Sequence, residues 1–247
     1  MSRYDVDALG TIDEYLSRSD WRVNANANQG YSLGGMILNS SGKMIANYWL
    51  EKCYSDEASV AHRNGDFHIH DLDMFSGYCA GWSLKRLLQE GFNGVPGSIA
   101  ARPPKHFSSA SGQIVNFLGT LQNEWAGAQA FSSFDTYMAP FVRLDNMTYE
   151  EVLQDMQELI FNLNVPSRWG SQCPFTNLTF DWTCPEDLKD EYPLVGGEPC
   201  DFTYGDLQAE MDIINRAFIE VMEGGDAEGR VFTFPIPTYN ITPDFDW

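Results

Sequence analysis

The chain has 247 residues, 43% hydrophobic and 14% aromatic, with 35 acidic against 15 Lys and Arg side chains and a formal net charge of −20. That apolar content fills the core of one large domain or part of a bigger one and excludes a disordered chain. The acidic balance repels polyanions, which excludes nucleic acid and anionic membrane as expected partners, while small phosphorylated ligands remain open to local backbone amides, one Arg or a bound Mg²⁺.

No apolar run approaches the roughly 20 residues that span a bilayer. The opening "MSRYDVDALGTIDEYL" lacks the basic-then-apolar order of a signal peptide, so a cytoplasmic setting is expected. Five cysteines with no Cys-x-x-Cys pair give neither a disulfide framework nor a zinc knuckle. Neither a repeat nor a low-complexity linker divides residues 1–247, so a single domain is expected.

The first strand candidate in chain order is "DFHIHDL", Asp66 to Leu72, where alternation puts His68 and His70 on one face and Phe67, Ile69 and Asp71 on the other. Two imidazoles followed by an acid suit a metal site, structural or substrate-contact histidines, or acid–base catalysis, and His62 and His106 are available to complete such a site. Cys79 follows in "MFSGYCAGW", where Gly77, Ala80 and Gly81 permit close approach of backbone or ligand. A lone cysteine there reads first as a buried small hydrophobe.

Ile114, Phe117, Leu118, Leu121 and Trp125 predict one face of a helix that starts near Ser109 or Ser111. Val152, Met156, Leu159, Ile160 and Leu163 predict a second, with Thr148 and Glu151 spaced as a capping box and Pro166 beyond its end. The loop "VPSRWGSQCPFTN" offers Arg168 to a phosphate or base, or is an ordinary turn with a surface Arg. A strand is expected over Cys173 to Trp182 and an exposed excursion over Pro185 to Asp201. Leu207, Met211, Ile214, Phe218 and Met222 predict a third helix stopped by Gly224 and Gly225, and Arg230 to Ile241 a last strand. Strands separated by helices predict βαβ units, a mainly parallel sheet and an α/β fold.

Six strings, "NANQGYSLGG", "HIHDLD", "YCAGW", "GAQAFSSFDTYMAPF", "FNLNVPSRWGSQCPFTN" and "GRVFTFPIPTYNIT", stand in the order and spacing of class III anaerobic ribonucleoside-triphosphate reductase, a glycyl radical enzyme. The resemblance runs from about Trp21 to the last residue. It implies the first half of a ten-stranded α/β barrel with helices outside, and reduction of ribonucleoside triphosphates to 2'-deoxyribonucleoside triphosphates by anaerobic radical chemistry. It also implies a homodimer that takes dNTP and ATP effectors, and a separate radical activase that uses S-adenosylmethionine and an iron–sulfur cluster.

By motif, Cys79 resembles the strand cysteine that helps reduce the radical intermediate, and Asn177 in "PFTN" an asparagine beside the sugar. The resemblance makes Tyr31, Ser32, His68, His70, Asp71 and Arg168 substrate contacts, with Ser167 to Cys173 the loop that relays effector identity to the base. No metal ligand and no bound cofactor is expected on this chain itself. The complete enzyme is expected to need a glycyl radical, zinc held near the C-terminus, and Mg²⁺ with the nucleotide.

Family members that use formate carry Asn before this cysteine, where this chain has Tyr78, which favours a thiol-based reductant. An ATP-cone, the second half-barrel, the zinc site and the radical glycine are not expected within these residues, so a missing C-terminal portion is expected as a partner. The alternative reading is a catalytically inert nucleotide-binding and dimerisation fragment. A metal-dependent hydrolase using His68 and His70 is a third.

Overall fold

The structure is a computed structural model that describes residues 6–18, 23, 30–93, 97, 99–243 and 245. Residues 26–29 of the first family-like string, and residues 246 and 247 at the end, lie outside the described residues. The chain forms two compact units, Met1–Tyr78 with Glu124–Ala126 and Pro166–Cys173, and Cys79–Asn123 with Gly127–Val165 and Pro174–Trp247. The chain returns to the first unit twice, so no single shift in composition marks the division.

The first unit is helical. It holds α1 (Ala8–Ser17), α2 (Leu33–Tyr48), which runs into a π-helical turn at Trp49–Cys53, and α3 (Asp56–Asn64). Ser32 caps α2 by accepting from the Gly35 amide at 3.0 Å, which satisfies one of the donors a helix start leaves open. The Tyr15 hydroxyl joins α1 to that start, accepting from the Ser32 amide at 3.0 Å and donating to its carbonyl at 3.1 Å. Gly35 is required for this approach, because a Cβ there would sit 2.5 Å from that hydroxyl.

The expected strand over Asp66 to Leu72 does not form; beyond α3 the chain runs irregularly as far as Cys79. Two local features explain the difference. The Ile69 amide donates to the His62 ring at 3.1 Å instead of to a neighbouring strand, and Asp71 turns the backbone with φ of 50°.

The second unit is built on a parallel sheet of β1 (Ala80–Trp82), β2 (Gln129–Phe131), β3 (Thr176–Phe180) and β6 (Ile236–Tyr239), in the spatial order β1-β2-β3-β6. The register sets Gly81, Ala130, Asn177 and Ile236 in one row, and Trp82, Phe131, Leu178 and Pro237 in the next. Between β1 and β2 run α4 (Leu84–Glu90) and α5 (Phe107–Leu121); between β2 and β3 run α6 (Phe134–Leu144) and α7 (Tyr149–Asn164). A small hairpin of β4 (Leu194–Val195) and β5 (Glu198–Pro199), followed by α8 (Gln208–Gly224), leads to β6.

Each crossover therefore joins adjacent parallel strands, and crossovers of one hand place their helices on one face of the sheet. Burial follows that rule. Gln129, Phe131, Thr176, Leu178 and Phe180 are fully buried, whereas Gly81 and Thr238 are exposed and Ala130, Asn177 and Thr179 are half-buried. Phe180 packs on Phe218 of α8 with ring centroids 4.5 Å apart and on Phe134 of α6 at 5.6 Å. Burying one such ring stabilises the fold by roughly 1.5–3 kcal/mol.

The three helices expected from periodicity are α5, α7 and α8. The capping box of Thr148 and Glu151 starts α7, and the chain turns extended at Val165 before Pro166. The start of α5 differs from the Ser109 or Ser111 expectation. The helix begins at Phe107, whose amide donates at 3.0 Å to Asp145, a cap supplied by a side chain distant in sequence, and Trp125 lies beyond its end.

The strand expected over Cys173 to Trp182 shortens to β3, since Trp182 turns at φ of 66°. The Arg230 to Ile241 strand shortens to β6, which follows a cis Phe234–Pro235 bond. Among the described residues no helix is long and apolar enough to cross a membrane.

Candidate functional site

The helix-free face of the sheet, the side away from the second unit's own helices, carries Cys79 and Asn177. Cys79 precedes β1 by one residue, so strand alternation assigns it to the face of Gly81, Ala130, Asn177 and Thr179. It is exposed, against the buried-hydrophobe reading of its sequence context, and its Sγ accepts from the Ala128 amide at 3.2 Å. Asn177 lies two strands away and one same-face step further along. At ~4.8 Å between strands and ~3.3 Å per residue, the two Cα atoms stand roughly 12 Å apart. That span accommodates a sugar with a side chain reaching it from either end.

The Asn177 amide is oriented by its neighbours. Its Nδ2 donates to Thr238 Oγ1 at 3.0 Å, and Thr179 Oγ1 lies 3.5 Å from its Oδ1. The motif reading names neither threonine. The signal that marks them is polar side chains alternating along two adjacent strands, Asn177 and Thr179 on β3 and Thr238 on β6.

Buried polar groups hold the end of β3 in place. Asp135, at the start of α6 and fully buried, accepts from the Asp181 amide at 2.8 Å, the Trp182 amide at 2.9 Å and Asn215 Nδ2 at 2.8 Å. Burial raises its carboxyl above the ordinary range, and the three donors oppose that rise. Asp181 accepts from Thr136 at 2.7 Å and from Asn240 at 2.8 Å. The backbone that turns away from Asn177 is thus fixed from both sides.

The other cysteines differ from Cys79. Cys173, Cys184 and Cys200 are half-buried, and burial pushes their thiols up, Cys184 to about 11. Cys53 is exposed but lies in the π-helical turn of the first unit.

The histidines sit in the first unit, around a cavity of about 270 Å³ lined by His62, His68, His70, Asp71, Asp73 and Asn39, among others. His68 Nε2 and His70 Nδ1 stand 3.2 Å apart, one the donor and the other the acceptor, and His70 Nε2 is 3.7 Å from Asp71. His62 lies beside His68 with ring centroids 5.6 Å apart, and its pKa is lowered by burial, then by His68 and Arg63. Burial raises the Asp73 carboxyl, with Asp71 adding to the rise.

The ring nitrogens of His68 and His70 thus lie within hydrogen-bond distance of each other. Among the described residues no group of three or more His, Cys, Asp or Glu side chains could hold a metal. The metal-dependent hydrolase reading therefore lacks a ligand set among the described residues, and His106 belongs to the second unit, paired with Asp145 at 2.7 Å.

The remaining expected contacts have structural partners. Tyr31 packs edge-on to Tyr15 with centroids 5.4 Å apart and lies under Arg18 at 4.7 Å, while Ser32 is the cap of α2. Arg168 is not the surface Arg of an ordinary turn. It is buried, and its Nη2 donates to the carbonyls of Trp125 at 3.1 Å and Ala126 at 2.7 Å, with burial lowering its pKa and Asp71 and Asp73 opposing that. Tyr78, the residue before Cys79, is exposed, its ring 5.6 Å from that of His70.

The relatives described next are anaerobic ribonucleotide reductases. The chain is 26% identical over 167 residues to the anaerobic ribonucleoside-triphosphate reductase of Escherichia coli, covering 57% of this chain and 23% of that protein. It is 33% identical over 108 residues to the same enzyme of Salmonella typhimurium, covering 41% of this chain and 15% of that protein. The chain thus spans less than a quarter of the curated relatives it matches. In fold it is similar to the anaerobic ribonucleotide reductase of Thermotoga maritima in complex with dATP and CTP, at a TM-score of 0.69 and 21% identity over 96% of this chain and 42% of that one. The same enzyme with citrate in the active site gives 0.71 over 94% of this chain and 44% of that one. A model of the family described as anaerobic ribonucleoside-triphosphate reductase matches residues 25–247, and the chain belongs to that family.

Proposed function

We propose that this chain forms one wall of a ribonucleotide site in an anaerobic ribonucleoside-triphosphate reductase, with Cys79 facing the sugar and Asn177 holding its hydroxyls. The observation that carries the reading is an exposed thiol on the helix-free face of a parallel sheet whose strands run in sequential order. Parallel sheets are ordinarily covered on both faces, and sequential strands with all crossovers on one side suit a sheet that closes into a barrel. This supports the half-barrel expectation and a bound nucleotide against the inner face.

The overall change removes the 2'-hydroxyl as water and needs two electrons and two protons. In this reading the Cys79 S–H bond breaks, the thiol passes one hydrogen atom to the substrate radical, and the sulfur is left one electron short. A thiol or formate reductant outside this chain supplies both electrons of the turnover, one as the hydrogen atom that restores the Cys79 S–H bond and the other, with a proton, to complete reduction of the substrate. Asn177 fixes hydroxyls through an amide that does not titrate.

The radical glycine supplies the unpaired electron that starts the reaction. We assign it, with the zinc site and the activase, to other parts of the complete enzyme. His68, His70 and Asp71, with Tyr31, Ser32 and Arg168, remain proposed contacts or supports for the nucleotide. Mg²⁺ would arrive with the triphosphate, effectors would be dNTPs or ATP, and a homodimer is the proposed assembly.

Alkylation of Cys79 by iodoacetamide tests the reading on the chain itself. Saturating ribonucleoside triphosphate is expected to slow modification of Cys79 and leave that of Cys53 unchanged. Equal modification of Cys79 with and without nucleotide would refute it.

A further inference from the structure

The couple of Asn177 and Thr238 offers more than an amide beside a sugar. Asn177 Nδ2 has two protons, of which one is given to Thr238 Oγ1 at 3.0 Å. Thr238 accepts that bond, so its own hydroxyl proton is left to give, and no acceptor for it is found among the described residues. Thr238 is exposed on the helix-free face, beside Thr179 in the register. The pair therefore presents a hydroxyl donor, an amide donor and a carbonyl acceptor at adjacent points. Two neighbouring hydroxyls of a vicinal diol, each both donor and acceptor, are complementary to that set, and a single hydroxyl is not.

We propose that Thr238 is a specificity-determining residue, which orients the Asn177 amide and with it reads the 2',3'-diol of a ribonucleotide against its 2'-deoxy counterpart. This rests on the reading of the face as a ribonucleotide site. A site built to hydrogen-bond a hydroxyl discriminates against the analogue that lacks it, because its own polar group is then left unpaired. A surface pair that merely satisfies Asn177 would show no such preference.

The test is equilibrium binding of the chain to each of the four common ribonucleoside triphosphates and their 2'-deoxy forms, for wild type, Thr238→Val and Thr238→Ser. Wild type is expected to prefer the ribo form of at least one nucleotide. Thr238→Val keeps the shape and loses the hydroxyl; it should weaken ribo binding about tenfold, or about 1.4 kcal/mol, with little change for the deoxy form. Thr238→Ser should restore the preference, and melting temperatures should be alike. If Thr238→Val disturbs folding, Thr238→Ala is read in the same way.

A wild-type ribo-to-deoxy ratio in the Val or Ala variant, or no ribo preference in wild type, overturns the role of Thr238 and leaves the nucleotide site standing. Absence of binding by wild type to any of the eight nucleotides overturns the site itself.

Discussion

Replacing Asp135 by Ala should be among the most damaging single changes in the second unit. The carboxylate accepts from the Asp181 amide at 2.8 Å, the Trp182 amide at 2.9 Å and Asn215 Nδ2 at 2.8 Å. Asp181 and Asn215 are 3% and 2% exposed, so water does not readily replace the lost acceptor. A buried donor left without a partner costs about 1–3 kcal/mol. Two such donors and the part-buried Trp182 amide, less the relief of removing a buried carboxylate, give a loss of roughly 3–5 kcal/mol, set against a typical domain stability of ~5–15 kcal/mol. The assay is urea unfolding followed by tryptophan fluorescence, with hydrogen exchange at Asp181 and Trp182 as the local readout. A loss below about 1 kcal/mol, with both amides still protected, would refute the assignment of those bonds.

The sign with pH follows from the raised Asp135 carboxyl. Its contribution to stability is fully present below the ordinary carboxylate pKa and is lost as pH rises through the raised one.

Three further outcomes are expected. His62, whose pKa is lowered by burial and whose Nδ1 accepts from Ile69, contributes stability that is present above the ordinary histidine value and lost as pH falls through its own. His62→Gln should remove that dependence, as read by thermal melts between about pH 5 and 8. Arg168→Lys should loosen the hold on Trp125 and Ala126, costing about 1–3 kcal/mol and exposing residues 166–173 to faster hydrogen exchange; unchanged exchange would contradict it. Phe180→Ala should cost about 3–5 kcal/mol in urea unfolding through the cavity left between α6 and α8.

The sequence made some of this legible and hid the rest for identifiable reasons. The stripes of α5, α7 and α8 are long, and each buries one face in the core, so periodicity alone locates them. By contrast β2 is three residues long and includes buried Gln129, which accepts from Trp82 Nε1 at 2.7 Å. A polar residue satisfied inside the core erases the alternation that would mark a strand. "HIHD" errs in the opposite direction, alternating like a strand while Asp71 turns the backbone and His62 takes the Ile69 amide.

Cys79 and Asn177 stand in family-like motifs, whereas the link of Thr238 to Asn177 exists only through the pairing of β3 with β6. The Arg168 guanidinium is occupied in a way that no local pattern foretells, because its partners are carbonyls more than 40 residues earlier.

The most direct measurement is a structure of the chain soaked with a ribonucleoside triphosphate. The ribose is expected on the helix-free face, with Cys79 Sγ in van der Waals contact with the sugar and the Asn177 amide within hydrogen-bond distance of a hydroxyl. Nucleotide bound with its sugar remote from both side chains, or against the helix-covered face, would contradict the account.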